Sequence, residues 1–327
     1  MKRWLSLRAY GLLTSTLFGA TTPPTRMRAR FERLGHVSRE RLQGKFPQLR
    51  FQDYAVEELA VESVCAIERP TRAILYLHGG AFFMGSPDSY RSRALRLSYR
   101  CQAEVFVPAY RLAPEHPYPA ALEDALAAWR LVCGLRGQMP LFVAGDSAGG
   151  GLSLSLLLRL RDLGFMLPDA AFMLSPWTDL TISGASVEGN RGKDLWFTRK
   201  HLEIWARFYL GRADPSSPYV SPVFADFSRL PPLLLFAGAN ELLLDDAVRV
   251  ASAATAQGTS ASVFIGSGMQ HDWPLALPWL AESRLAWSAI RAFVEAHSQR
   301  ALDRPARLRG AAPAPGSPDP PRSSHHA

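Results

Sequence analysis

The sequence predicts an α/β fold: an eight-stranded, mostly parallel sheet flanked by helices, with a helical cap built from the N-terminus and an insertion. Three observations point there. Strand-length apolar runs alternate with helical stretches from about residue 49 to residue 297. One strand-to-helix junction carries a Gly-x-Ser-x-Gly turn, and the alternation is broken once, over residues 184–211.

The strands fall, in order, at Leu49–Val56, Leu59–Ile67, Ala73–His78, Glu104–Pro108, Leu141–Gly145, Ala170–Ser175, Leu233–Gly238 and Ser262–Gly266. Each is short, rich in apolar residues and bounded by turn formers. The helices fall at Ser89–Arg100, Ala120–Cys133, Ala148–Leu163, Asp245–Gln257 and Pro278–Ala296, several opening on a Pro or an acid. Residues 184–211 carry Trp196, Phe197, Trp205 and Phe208 at mixed spacing between two core strands, as expected of a cap insertion. Residues 1–45 form an N-terminal cap segment, 46–183 and 212–297 the sheet domain. Residues 298–327, with Pro305, Pro313, Pro315, Pro318, Pro320 and Pro321, form a tail too poor in apolar residues to order itself.

Composition narrows the function. The chain has 327 residues, 47% apolar, enough for one large core. Its formal charge of +8 is concentrated at the two ends, leaving the body near neutral. A neutral body offers no phosphate-tracking groove, which argues against nucleic acid as a partner. Cys65, Cys101 and Cys133 are scattered without metal-ligand spacing and are expected as reduced core thiols, one pair remaining open as a disulfide. No metal or organic cofactor is expected. The start, Met1 to Ala20, resembles a secretory signal, but Arg8, Thr and Ser dilute its apolar run, which is too short to span a bilayer. A cap segment touching a membrane surface is the preferred reading, in a cytoplasmic protein. The sequence is compatible with a homodimer.

The chemistry concentrates in three stretches. Leu141 to Gly150 reads as a buried strand, a Gly145-Asp146-Ser147-Ala148-Gly149 turn and a helix of small residues. A sharp strand-to-helix turn needs glycines at its tightest points and projects the Ser147 hydroxyl into a cleft, as a nucleophile requires. The helix that follows points its free N–H groups toward any oxyanion formed there. Upstream, a strand ends in His78-Gly79-Gly80-Ala81, whose bare backbone can approach a developing negative oxygen. Gly79, Gly80 and Ala81 with Ala148 are the expected oxyanion hole, and His78 is read as a loop-holding residue.

These blocks resemble the hormone-sensitive-lipase-like group of α/β-hydrolases, the bacterial family IV carboxylesterases. His78-Gly79-Gly80-Ala81-Phe82, Tyr110-Arg111-Leu112-Ala113-Pro114-Glu115-His116, Gly145-Asp146-Ser147-Ala148-Gly149-Gly150 and Ser175-Pro176-Trp177 follow the family's order, and the likeness extends from Leu49 to Val294. Ala81 departs from the family's usual third glycine, and Ala109 from its frequent Asp. The resemblance implies that the Tyr110–Glu115 stretch supports the oxyanion loop. It also implies an α/β-hydrolase fold and hydrolysis of short- to medium-chain acyl esters.

In this fold the acid and then the histidine follow the nucleophile along the chain. His271, directly after the last strand, is the expected base; His201 precedes every candidate acid and is read as a packing residue. For the acid, Glu241, Asp245 and Asp246 lie together. Glu241 matches the family position, Asp245 remains the alternative although it is placed to cap the next helix, and Asp246 falls in the first turn. Phe82, Phe83, Trp177, Trp196, Trp205 and Trp273 are candidates for lining an apolar pocket. The rival readings are a catalytically silent relative that binds a small ligand, and a lipase or deacetylase acting on longer or N-/O-acetylated substrates.

Overall fold

The computed structural model describes residues 22–302; the N-terminal stretch read as signal or membrane contact, and the tail beyond 302, lie outside them. Eight strands form one sheet in the order β1-β2-β4-β3-β5-β6-β7-β8. They are β1 (Arg50–Val56), β2 (Leu59–Cys65), β3 (Arg72–Leu77), β4 (Ala103–Pro108), β5 (Leu141–Asp146), β6 (Ala170–Leu174), β7 (Leu233–Gly238) and β8 (Ala261–Gly266). β2 runs antiparallel to both β1 and β4; every other ladder is parallel. The helices are α1 (Pro24–Gly35), α2 (Arg39–Lys45), α3 (Pro87–Cys101), α4 (Ala120–Arg136), α5 (Ser147–Asp162), α6 (Ser186–Gly189), α7 (Arg199–Leu210), α8 (Leu244–Ala256), α9 (Trp273–Ala276) and α10 (Ala281–Leu302).

Strand periodicity divides the core in two. Leu75, Leu77, Val143 and Leu235 face α4, α5, α7 and α8, while Ile74, Tyr76, Phe142 and Phe236 face α3 and α10. Because both faces are covered, β3 to β7 read as continuous apolar runs rather than alternating ones. The last helix differs from expectation at both ends. It starts at Ala281 and continues to Leu302, past the point where the tail was placed, because Ser298 and Ala301 are still buried. Cys65, Cys101 and Cys133 are buried and free, and burial pushes the Cys101 and Cys133 thiols up to about 12. No helix among the described residues is long and apolar enough to cross a membrane.

The N-terminal helix is bound to the sheet domain by polar contacts. Arg28 Nε donates to the Phe83 carbonyl (2.9 Å), its Nη2 donates to the Ala113 carbonyl (3.0 Å), and it pairs with Glu115 at 2.8 Å. Glu32 accepts from the hydroxyls of Ser86 and Ser89 at the start of α3. Helix α1 therefore braces the segment that leaves β3.

Phe236 in β7 is fully buried, with the rings of Phe264 and Trp273 5.5 and 6.3 Å away. Truncating it leaves a cavity between sheet and helix, so Phe236→Ala should lose about 3–5 kcal/mol in urea-induced unfolding. A loss below about 1 kcal/mol would contradict this packing.

Candidate active site

Four loops at the C-terminal edge of the sheet converge on Ser147. The turn from β5 into α5 holds Ser147 at φ 52°, a left-handed backbone that the surrounding structure must impose on a serine. The imposing contact is close backbone packing. A Cβ on Gly149 would lie 2.1 Å from the Leu77 carbonyl oxygen and 2.4 Å from that of His78, and one on Gly145 would lie 2.4 Å from the Gly149 oxygen. The first-turn amide of Ala148 has no intrahelical acceptor, as at any helix start.

The loop after β3 is tied to this turn by the residue before the serine. Asp146 is buried and accepts from Tyr76 Oη (2.7 Å), Tyr90 Oη (2.7 Å) and the backbone N–H of Gly79 (2.9 Å). This corrects one expectation: the Gly79 amide, counted among the oxyanion donors, is already spent on Asp146. Gly80 and Ala81 stand with Ser147 on the cleft wall, at φ 118° and 52°. His78 is buried against Tyr110, ring centroids 4.1 Å apart, and Tyr110 Oη donates to the His78 carbonyl at 2.7 Å. Burial pushes the His78 imidazole down to about 4 and keeps it neutral, in keeping with its reading as a loop-holding residue.

His271 follows β8 and lies in the same cleft as Ser147. Its Nδ1 is 3.5 Å from Glu241 Oε2, long for a hydrogen bond, and its Nε2 is 3.3 Å from Asp272 Oδ2. Burial opposes charge on the ring, yet Asp272, Glu241 and Asp194 outweigh it and push His271 up to about 9. Ser175, at the end of β6, donates its hydroxyl to Glu241 Oε2 (2.7 Å) and accepts from the Asp272 N–H (3.0 Å).

The other two carboxylates of the acid loop point elsewhere. Asp245 accepts from the Ser186 N–H at 2.8 Å, and Asp246 accepts from the N–H groups of Thr178 and Asp179 at 2.6 and 2.9 Å. Burial pushes Asp246 up to about 8. Asp245 was expected to cap α8; the helix instead begins one residue earlier, with Leu243 at the cap, so Asp245 is inside the first turn and reaches across to α6. His201 likewise belongs to structure: it stacks on Trp205 and closes a capping box with Thr198.

The insertion between β6 and β7 covers the cleft and grips the loops beneath it. Gln270 accepts from the Leu195 N–H (2.9 Å) and donates to the Lys193 carbonyl (3.0 Å). Asn190 donates to the carbonyls of Ala239 and Glu241, and Asp194 accepts from the Leu242 N–H at 2.8 Å. Burial pushes Asp194 up to about 6. Phe197 and Trp196 meet the His271 ring edge-on, at 4.8 and 5.5 Å between centroids. The cleft is partly open and narrow, about 50 Å³, with Phe31, Met84, Trp196, Phe197 and Trp205 lining it alongside Ser147. Of the six aromatics proposed from sequence for this wall, Trp196 and Trp205 are there, whereas Phe82, Phe83, Trp177 and Trp273 are buried in the core. Phe31 and Met84, contributed by α1 and the oxyanion loop, have no signal in the sequence pattern, and neither do Asp194 or Asp272; Ser175 stands in a recognisable block, but its contact with Glu241 does not follow from it.

Gly149→Ala tests the turn, since its methyl has backbone on two sides and nowhere to move. It should destabilise the protein by about 3 kcal/mol in thermal or urea unfolding, and a variant as stable as the parent would refute the close packing.

Residues 74–275 match a family described as having the alpha/beta hydrolase fold. The chain is 40% identical over 225 residues to an acetyl-hydrolase of Streptomyces hygroscopicus, covering 68% of this chain and 75% of that protein. It is 33% identical over 235 residues to an esterase of Acinetobacter venetianus, covering 71% and 77%. Among solved structures, an esterase/lipase from an uncultured bacterium superposes with a TM-score of 0.81 at 34% identity, over 90% of this chain and 98% of that one. An esterase from the bacterial hormone-sensitive lipase family gives 0.80 at 32% identity, over 89% and 98%.

Proposed function

The chain belongs to the α/β-hydrolase family, within its hormone-sensitive-lipase-like group, and we propose that this serine ester hydrolase works through Ser147 as nucleophile, His271 as base and Glu241 as acid. The observation that supports the assignment is a strained, glycine-packed serine lining the same cleft as an imidazole whose Nδ1 is 3.5 Å from Glu241. His271 takes the Ser147 proton as the Ser147 oxygen attacks the ester carbonyl. The oxyanion is held by the amides of Gly80, Ala81 and Ala148. Collapse expels the alcohol, which receives the proton from the imidazolium, and water attacks the acyl-enzyme with His271 again as base. Glu241 fixes the ring orientation and stabilises the imidazolium, with Ser175 keeping the carboxylate in place.

The substrate is proposed to be an ester of a short acyl chain. The cleft above Ser147 is narrow and partly open, with Trp196, Phe197 and Trp205 along its wall, which favours a small acyl group. The acetyl-hydrolase among the relatives is consistent with a small acyl group.

Ser147→Ala should abolish hydrolysis of p-nitrophenyl butyrate and labelling by a fluorophosphonate; full activity in this variant would overturn the assignment. Across p-nitrophenyl esters from acetate to dodecanoate, kcat/KM should fall by about ten-fold or more beyond the short chains. The base must be neutral to act, and its proton is held up to about 9. Activity should therefore climb from neutral pH into that alkaline range, and a plateau reached by about pH 7 would contradict it.

A further inference from the structure

The residue next to the base carries an arrangement that the ester-hydrolysis scheme does not use. Asp272 is 7% exposed, at φ 52°, with its N–H fixed on the Ser175 hydroxyl at 3.0 Å. Its Oδ2 lies 3.3 Å from His271 Nε2, its Oδ1 has no hydrogen-bond partner, and the side chain stands on the wall of the Ser147 cleft. Nδ1 faces Glu241, so the imidazole lies between two carboxyl groups.

We propose that Asp272 is a positioning residue that latches the base: in the resting site its carboxylate, 3.3 Å from Nε2, pairs with the imidazolium and keeps on the ring the proton that must leave before His271 can accept one from Ser147. The inference rests on the reading of His271 as the base. The contact is an ion pair at the Nε2 side of the ring rather than an in-plane hydrogen bond. The ring becomes a competent base when its proton passes to solvent, or when it passes to Asp272 and the neutral acid turns away, so that Nε2 meets Ser147. On either route one proton leaves the ring before one is taken from the serine.

The groups facing the pair come from every neighbouring element. Glu241 follows β7, Asp194 comes from the insertion, Asp146 and Tyr76 from β5 and β3, and Tyr90 and Arg93 from α3. Burial raises the Asp272 carboxyl well above the ordinary carboxylate range; the imidazolium and Arg93 oppose that rise, while Asp146 and Glu241 add to it. The two groups therefore titrate as a pair, and removing the second acid should release the base at lower pH.

The test is the pH profile of kcat/KM on p-nitrophenyl butyrate for the full chain and for Asp272→Asn, which keeps the shape and removes the charge. The acidic limb should move at least about one pH unit lower, and activity near pH 6.5 should rise about three-fold or more. An unshifted limb, or a uniform loss of activity at every pH, overturns the latch. Should the variant fail to fold, the ring ¹⁵N shifts of His271 in the unaltered chain decide. Two coupled steps are expected, and a single step near the ordinary histidine value of about 6.5 overturns it. A parent chain without esterase activity at any pH would instead strike at the function itself, and is distinguishable from an active parent whose limb does not move.

Discussion

The carboxylate of Asp146 is the interaction on which the site depends. It immediately precedes the nucleophile, and it gathers two tyrosine hydroxyls and the Gly79 amide onto one buried charge. Hydrogen bonds to a charged acceptor are among the stronger ones, and here all three donors are removed from water. The distance between the serine turn and the oxyanion loop is thereby set by one side chain reaching from β5 to β3 and α3. The glycine contacts beneath it, Gly149 against the ends of Leu77 and His78, allow the two loops to approach closely enough for that reach.

Around the base the logic is reversed, because charge is crowded there rather than neutralised. His271 has Glu241 on one edge and Asp272 on the other, with Asp194 near, and the guanidinium of Arg93 is the nearby cation acting on Asp272. Ser175 touches both sides of this cluster through a single hydroxyl, donating to Glu241 and accepting from the Asp272 amide. The spacing of the two acids about the ring therefore depends on where β6 ends.

Much of this was legible in the sequence because it is written along the chain. Apolar runs fixed all eight strands to within a residue or two, and the order of Ser147, Glu241 and His271 put them at the ends of β5, β7 and β8. What escaped were contacts made sideways between loops. The Ser175-Pro176-Trp177 block was recognisable, but only the adjacency of β6 and β7 makes its serine a partner of Glu241. Asp272 carries no signal beyond its place beside His271, since a left-handed backbone turns its side chain back toward the ring. Gly79 looked like an oxyanion donor because its neighbours are bare; the carboxylate that takes its amide is remote in sequence. Phe82, Phe83, Trp177 and Trp273 were read as wall aromatics for the same reason that Trp196 and Trp205 were, and only packing separates the two sets.

The insertion is anchored to the loops below it largely by main-chain groups. Gln270 holds the backbone of Leu195 and Lys193, and the one insertion amide that reaches down, Asn190, grips backbone carbonyls. The rings that line the cleft, Trp196 and Phe197, take no part in these hydrogen bonds and pack instead on the His271 ring. Polar fastening and the shape of the cleft wall are thus carried by different atoms of neighbouring residues. A change of ring at either position alters the contour of the wall while leaving the polar ties to the loops below in place.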